Sequence, residues 1–284
     1  MLECRDVSFA YPGGRQALSG VSLRLERGAT LGVMGGNGSG KTTLAHLMCG
    51  LLAPASGSVL VDDLSTADPA NVYEVRRRVG IVFQDPDDQL IETTVEREIG
   101  FGPRNLGLEP SDVKARVENA IAVFGIDHLR RRPCHLLSAG EKQIVTVASI
   151  FAMEPAYVIL DESTSLLDVA SRRHLVQAVD SLVKATGAGL VFISMRLEDT
   201  WLCDRTVFLK GGSIAFECAR RELAGRLRAE VPDLPGLGYL LACLEDDLPG
   251  LQAQVASKKD LSADSVYQAI SEMTSDRSGG AACP

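Results

Sequence analysis

Thr30-Leu31-Gly32-Val33-Met34-Gly35-Gly36-Asn37-Gly38-Ser39-Gly40-Lys41-Thr42 decides the fold of this chain. The apolar run Thr30 to Met34 reads as a short buried strand, and it feeds a glycine loop spaced G-x-x-x-x-G-K-[ST]. Beyond the loop, Leu44, Leu47, Met48 and Leu51 share one face, which predicts a helix over Lys41 to Leu51. Strand, glycine loop and helix in that order form a cradle for phosphate. The glycines let the backbone turn its N–H groups inward, and the helix points its positive end at the same anion. Gly35, Asn37, Gly38, Ser39, Gly40, Lys41, Thr42 and Thr43 are the candidate nucleotide-binding residues. Lys41 is the cation for the outer phosphates, and Thr42 offers a hydroxyl to Mg²⁺.

Outward from the loop, the chain alternates apolar strands and amphipathic helices. Upstream, Val7, Phe9 and Tyr11 share one face and Val21, Leu23 and Leu25 another, with Pro12-Gly13-Gly14 as the turn between them. Downstream, Val59–Val61 and Gly80–Phe83 are strand candidates, and Ser111 is the expected N-cap of a helix from Asp112 to Phe124. A longer helix over Val169 to Ala185 ends at Gly187-Ala188-Gly189, followed by strands at Leu190–Ile193 and Thr206–Leu209. This alternation implies an α/β domain with a largely parallel sheet. After Glu217 the pattern weakens. Leu240, Leu241 and Leu244 mark a short helix, Ser262 to Met273 another, and Asp276 to Pro284 reads as a disordered tail.

Composition narrows the function. The chain has 284 residues, a net charge of −8, 45 % hydrophobic and 23 % charged residues, which is ordinary for a soluble globular protein. An acidic balance argues against sequence-independent nucleic-acid binding, which needs a basic footprint. The seven cysteines show no CxxC pair and no histidine cluster beside them, so they read as reduced thiols of a cytosolic protein. No signal peptide is visible, and no run approaches the ~18 apolar residues of a membrane span.

Two further stretches specify the kind of nucleotide machine: Leu137-Ser138-Ala139-Gly140-Glu141-Lys142-Gln143, and the apolar strand Val158-Ile159-Leu160 ending in Asp161-Glu162. Together they resemble the signature motif and the Walker B strand of ATP-binding-cassette (ABC) ATPases. The resemblance implies a P-loop cassette over residues 1–220, with a mixed sheet core, an N-terminal antiparallel β subdomain and a helical signature subdomain at about 86–150. A small α-rich extension that pairs two subunits would occupy 221–275. The substrate implied is ATP with Mg²⁺. By the same resemblance Asp161, Thr42 and Gln84 hold Mg²⁺. Glu162 is the catalytic base or water-positioning group, with Lys41 and Gln84 beside it. Tyr11 stacks on adenine, Ser138 and Gly140 contact the ATP of a second subunit, and Asp168 belongs to the loop that crosses to that subunit.

A narrower match lies in Val82-Phe83-Gln84-Asp85-Pro86-Asp87-Asp88-Gln89-Leu90 and in Thr94 to Leu108. Both look like the energy-coupling-factor (ECF) group of importer ATPases. That implies a second ABC ATPase subunit, a transmembrane scaffold subunit and a substrate-binding membrane subunit as partners, no nucleic acid, and a place on the cytoplasmic face of the cell membrane. Two other readings stay open: the ATPase of another ABC transporter type, and a soluble ABC ATPase outside transport.

The sequence departs from the family at several places. Ala139 stands for a glycine, Ile144 for a common arginine and Ser163 for a proline. The largest departure is Met195 in Ser194-Met195-Arg196, where the family has a switch histidine. A thioether cannot donate a hydrogen bond. Losing a charge-assisted donor costs about 1.5–3 kcal/mol, roughly ten- to a few-hundred-fold in rate. The chain's own site is therefore expected to be slowed, and the partner's site to be the stronger of two.

Overall fold

A computed structural model describes residues 1–200 and 203–230. It divides into two compact units, the first Met1–Arg220 and the second beginning at Arg221. In the first unit β1 (Leu2–Ala10) and β2 (Gln16–Leu25) are followed by β3 (Thr30–Gly35) and α1 (Lys41–Met48). Next come β4 (Ser56–Val61), β5 (Leu64–Ser65), α2 (Val72–Arg78) and β6 (Val79–Val82). Three helices come after these, α3 (Val95–Asn105), α4 (Pro110–Val123) and α5 (Ala139–Ala152). The unit closes with β7 (Tyr157–Asp161), α6 (Val169–Thr186), β8 (Gly189–Ile193), α7 (Leu197–Thr200), β9 (Arg205–Lys210) and β10 (Ser213–Ala219). Of the second unit, α8 (Leu223–Glu230) is described.

The strands form two sheets. One is antiparallel, ordered β2-β1-β4-β5, and the other is six-stranded, ordered β10-β9-β3-β8-β7-β6. In the larger sheet only β10 runs antiparallel to its neighbour. Both faces of this sheet are covered, which is why its central strands are unbroken apolar runs. Alternate residues divide between two cores. Val158, Leu160, Leu190 and Phe192 join the core that includes Val95, Ile99, Val145 and Leu175 of the surrounding helices. Tyr157, Ile159, Val191 and Ile193 join the core that includes Leu44 and Leu47 of α1 and the antiparallel sheet. The mixed sheet, antiparallel β subdomain and helical part thus match the architecture implied by the motifs.

Several local expectations need correction. The first helix stops at Met48 rather than Leu51, and Leu51 is exposed. Ser111 is not an N-cap: α4 begins two residues earlier than expected, at Pro110, with Glu109 in the capping position. Proline suits a first helical turn because its missing N–H would be unpaired there anyway. Elements α2, α3, β5 and β10 had no sequence signal strong enough to name them. The expected helices at Leu240–Leu244 and Ser262–Met273, the extension beyond 230 and the tail lie outside the described residues.

One side chain ties the two sheets together. Val61 and Leu64 pair across a two-residue turn in which Asp62 and Asp63 both have positive φ, the geometry that matches the twist of a hairpin. The Asp62 carboxylate accepts from the Met1 ammonium at 2.6 Å, from the Tyr157 hydroxyl at 2.7 Å and from Arg27 at 2.6 Å. Burial opposes its ionisation, but these donors outweigh burial and hold the carboxyl well below the usual carboxylate range. Tyr157 is fully buried, so its hydroxyl has no water to turn to. Asp62→Ala should therefore cost about 1–3 kcal/mol at pH 7, read by urea unfolding. The lowered carboxyl contributes stability above its unfolded value that is lost as the pH falls. The gap between wild type and variant should thus narrow below about pH 4.

Candidate nucleotide site

The glycine loop sits where β3 ends, and packing forces its composition. Gly35 has φ +152°, and a Cβ there would lie 2.4 Å from the Leu209 carbonyl oxygen and 2.6 Å from Ser39 Oγ. Gly212 N–H donates to Ser39 O at 3.1 Å, so the β9–β10 turn holds the loop from one side. Lys41, the first residue of α1, is 5 % exposed. Its ammonium donates to Gly35 O at 2.9 Å and to Gly36 O at 3.1 Å, and lies 3.5 Å from Glu162 Oε1.

A cleft of about 300 Å³ opens above the loop. Asn37, Gly38, Gly40, Lys41, Thr42 and Thr43 reach it from the loop and α1, while Tyr11, Gln84 and Glu162 reach it from other elements. The Tyr11 hydroxyl pairs with Thr43 Oγ1 at 3.0 Å, and its ring stands edge-on to Phe9, which leaves the ring exposed at the lip. Gln84 is exposed on the wall. Its segment is anchored by Gln89, which accepts from Phe83 N–H at 3.1 Å and donates to Ile81 O at 2.9 Å, extending β6 through a side chain.

Asp161 and Glu162 differ although they are neighbours. Asp161 ends β7 at 1 % exposure, and its Oδ1 has no hydrogen-bond partner among the described residues. Burial pushes its carboxyl above the usual range, the Thr42 hydroxyl opposes that shift, and the Glu162 charge adds to it. Glu162 has φ +48°, a left-handed conformation that costs a side chain other than glycine of order 1–3 kcal/mol. Its N–H donates to Ile193 O at 3.0 Å and its carbonyl accepts from Ser165 N–H at 3.0 Å, so the strained geometry is pinned on both sides.

Ser138, Gly140 and Asp168 do not line this cleft. Ser138 opens α5 in a capping box: its Oγ accepts from Glu141 N–H at 3.3 Å, and Glu141 accepts from Ser138 N–H at 2.7 Å. Arg132 neutralises Glu141 at 2.8 Å. A Cβ on Gly140 would meet Leu167 at 3.3 Å, so this turn lies against the loop that leads into α6. Asp168 caps α6, accepting from Ala170 and Ser171 N–H at 2.9 Å. The chain alone thus brings the phosphate loop and Glu162 together and leaves the signature turn apart.

Met195 is half-buried just past β8. Beside it lies an arrangement the sequence reading missed. The buried Asp199 carboxylate accepts from the Thr164 hydroxyl at 2.6 Å and the Ser194 hydroxyl at 2.7 Å, joining the loop after Glu162 to the segment that carries Met195. Arg15, at the cleft mouth, was missed as well.

A strand-loop-helix phosphate cradle, an acidic strand end and a separate signature turn define a cassette-type nucleotide hydrolase. Comparison with known proteins gives the same class. The ABC transporter family profile matches residues 18–165. The chain is 43 % identical over 215 residues to the cobalt import ATP-binding protein CbiO of Syntrophus aciditrophicus, covering 75 % of this chain and 76 % of that protein. It is 35 % identical over 252 residues to the energy-coupling factor transporter ATP-binding protein EcfA1 of Clostridium perfringens, covering 85 % and 90 %. The solved structure of cbiO1 from Clostridium perfringens, described as part of the ABC transporter complex cbiONQ, superposes with a TM-score of 0.72 at 30 % identity over 85 % of this chain and 98 % of that one. The chain belongs to the ABC transporter ATP-binding proteins of the ECF/CbiO type. It binds ATP and is an ATP-hydrolysing translocase subunit. Among the described residues no helix is long and apolar enough to cross a membrane.

The buried charge of Asp161 makes a prediction that needs no turnover assay. A carboxyl raised by burial destabilises the nucleotide-free fold increasingly as the pH rises through its titration. Asp161→Asn should melt at a higher temperature than wild type at pH 8, with the gain shrinking as the pH falls toward about 4. A lower Tm than wild type at both pH values would contradict this account of the site.

Proposed function

We propose that this chain is the ATPase subunit of an ECF-type importer, energising uptake of a vitamin or a transition-metal ion. Its partners would be a membrane scaffold subunit, a substrate-binding membrane subunit and a second cassette ATPase, assembled on the cytoplasmic face of the cell membrane. The names of the related proteins support this reading, one for cobalt import and another for energy-coupling factor transport. The observation that carries the chemistry is the approach of Lys41 to Glu162, 3.5 Å apart on one cleft wall above a buried, partnerless Asp161 oxygen.

In this proposal Lys41 exchanges its two loop carbonyls for phosphate oxygens, and the loop N–H groups hold the rest of the phosphate chain. The pinned Glu162 carboxylate orients the attacking water and accepts its proton. Tyr11 offers a ring face at the lip for the base. An oxygen-lined site suits Mg²⁺, a hard cation, and Thr42, Asp161 and Gln84 would hold it. Bound there, Mg²⁺ supplies charge neutralisation of the outer phosphates. Among the described residues no group of three or more His, Cys, Asp or Glu could hold a metal, so the remaining ligands would come from the nucleotide. Ser138 and Gly140 serve the ATP of the partner subunit, because they lie outside this chain's own cleft. Gln84 and the acidic turn after it face the scaffold, where acids would meet basic residues.

The proposal has two consequences that can be measured. Gentle solubilisation of native membranes should co-purify the chain with a polytopic protein, a small membrane protein and a second, histidine-bearing cassette. Recovery of the chain away from membranes, with ribosomal or cluster-assembly proteins, would end the transport reading. In the assembled complex, Glu162→Gln should reduce ATP turnover less than the equivalent change in the partner. Met195→His should raise turnover at this chain's site roughly tenfold or more. An unchanged rate would mean that the histidine's absence is not what limits this site.

A further inference from the structure

Arg15 has no part in the mechanism above, yet its place is well defined. It comes directly after the Pro12-Gly13-Gly14 turn, where Tyr11 N–H donates to Arg15 O at 3.0 Å and Gly14 N–H to Tyr11 O at 3.1 Å. Those bonds fix the base of a side chain that reaches over the phosphate loop: a Cβ on Gly38 would lie 3.3 Å from Arg15 Nη2. Among the described residues that line the cleft, Arg15 and Lys41 are the only cations and Glu162 the only acid. Lys41 has that acid and two carbonyls beside it. The Arg15 guanidinium has no side-chain hydrogen bond and no ion pair among the described residues. Gln16, next along, turns its amide to Leu18 O at 3.4 Å and offers no counter-charge. A guanidinium without a partner, lying against a loop built to hold anions, leaves the cleft with uncompensated positive charge.

We propose that Arg15 is a substrate-contacting residue that grips the phosphate chain of the nucleotide from the open side of the cleft, opposite Lys41. The proposal rests on the ATP reading of the cleft and adds a specificity to it. Arg15 recognises polyphosphate charge rather than the base, so it acts alike on ATP and GTP and is indifferent to adenosine. A planar guanidinium fork pairs with two phosphate oxygens, whereas an ammonium meets them as a point charge. An exposed cation at the mouth also draws anions in from solution, an effect that salt weakens.

The test uses the full chain with Mg²⁺ and compares wild type, Arg15→Gln, Arg15→Lys and Lys41→Ala by nucleotide-binding calorimetry, with adenosine as competitor. Arg15 is exposed, so Arg15→Gln should melt with wild type and its binding can be read directly. The expected result is a loss of roughly tenfold or more in affinity for both ATP and GTP, a flatter salt dependence, partial recovery in Arg15→Lys and no change for adenosine. Arg15→Gln binding ATP within twofold of wild type would overturn the Arg15 assignment while leaving the cleft intact. A loss confined to ATP, with GTP unaffected, would overturn it too, by making the contact base-dependent. Wild type failing to bind ATP, with Lys41→Ala no different, would instead remove the nucleotide reading, and this proposal with it.

Discussion

The phosphate loop and the acidic strand end of the cleft depend on the pairing of β3 between β8 and β9, and of β8 with β7. The register sets Val33 beside Ile193 on one side and beside Val207 on the other, and Ile193 in turn beside Asp161. Three strand ends far apart in sequence therefore finish level, and the segments that leave them meet in one place. The phosphate loop leaves β3, Glu162 comes directly after Asp161, and Ser194 and Met195 come directly after Ile193. Parallel strands with covered faces leave their carboxyl ends as the natural crevice for a ligand. A slip of one residue in β7 would turn Asp161 to the other face and empty the site.

That alignment also explains where the chain departs from local preference. Glu162 is left-handed because its N–H is held by the Ile193 carbonyl and its own carbonyl by Ser165. The buried hydroxyl-carboxylate set of Thr164, Ser194 and Asp199 clamps the same two strand ends from below. The backbone around Glu162 is thus determined by long-range bonds rather than by its own propensity. A carboxylate held in this way keeps its aim toward the cleft without reorganising. Met195 leaves the same clamped segment half-buried, and its thioether offers no donor.

Much of this was legible from residues alone, for identifiable reasons. The phosphate loop, the strand before it and the acidic strand end are encoded within a few neighbouring positions, so pattern suffices. Helix α3 was hidden because Gly100, Gly102 and Pro103 interrupt its periodicity. Packing accounts for one of them: a Cβ on Gly102 would lie 2.5 Å from the Met153 side chain, so the glycine lets α3 approach the end of α5. Ser111 misled because a good capping residue stood beside a proline that starts a helix better. Arg15 and Asp199 were invisible for another reason. An arginine after a turn reads as a solvated charge, and only the fold lays it on Gly38. An aspartate near a helix start reads as a cap, and only the fold brings Thr164 to it.

Some of the buried polar atoms that have no partner among the described residues lie at the same crevice. Both Asp161 Oδ1 and Ser39 Oγ, close under the phosphate loop, are buried without a partner. An unmet buried polar group costs about 1–3 kcal/mol, more when charged. Asp62 shows the alternative within the same chain: a partly buried carboxylate with a donor on every side, stabilising the fold and carrying out no chemistry. The two aspartates share a side chain and differ in burial and in how fully the protein supplies their partners. Where it does, the carboxylate fastens two sheets. Where it leaves one oxygen unmet, the carboxylate stands beside a strained glutamate that lies 3.5 Å from the Lys41 ammonium. The strained glutamate and the unmet aspartate oxygen thus stand next to each other in sequence where β7 ends.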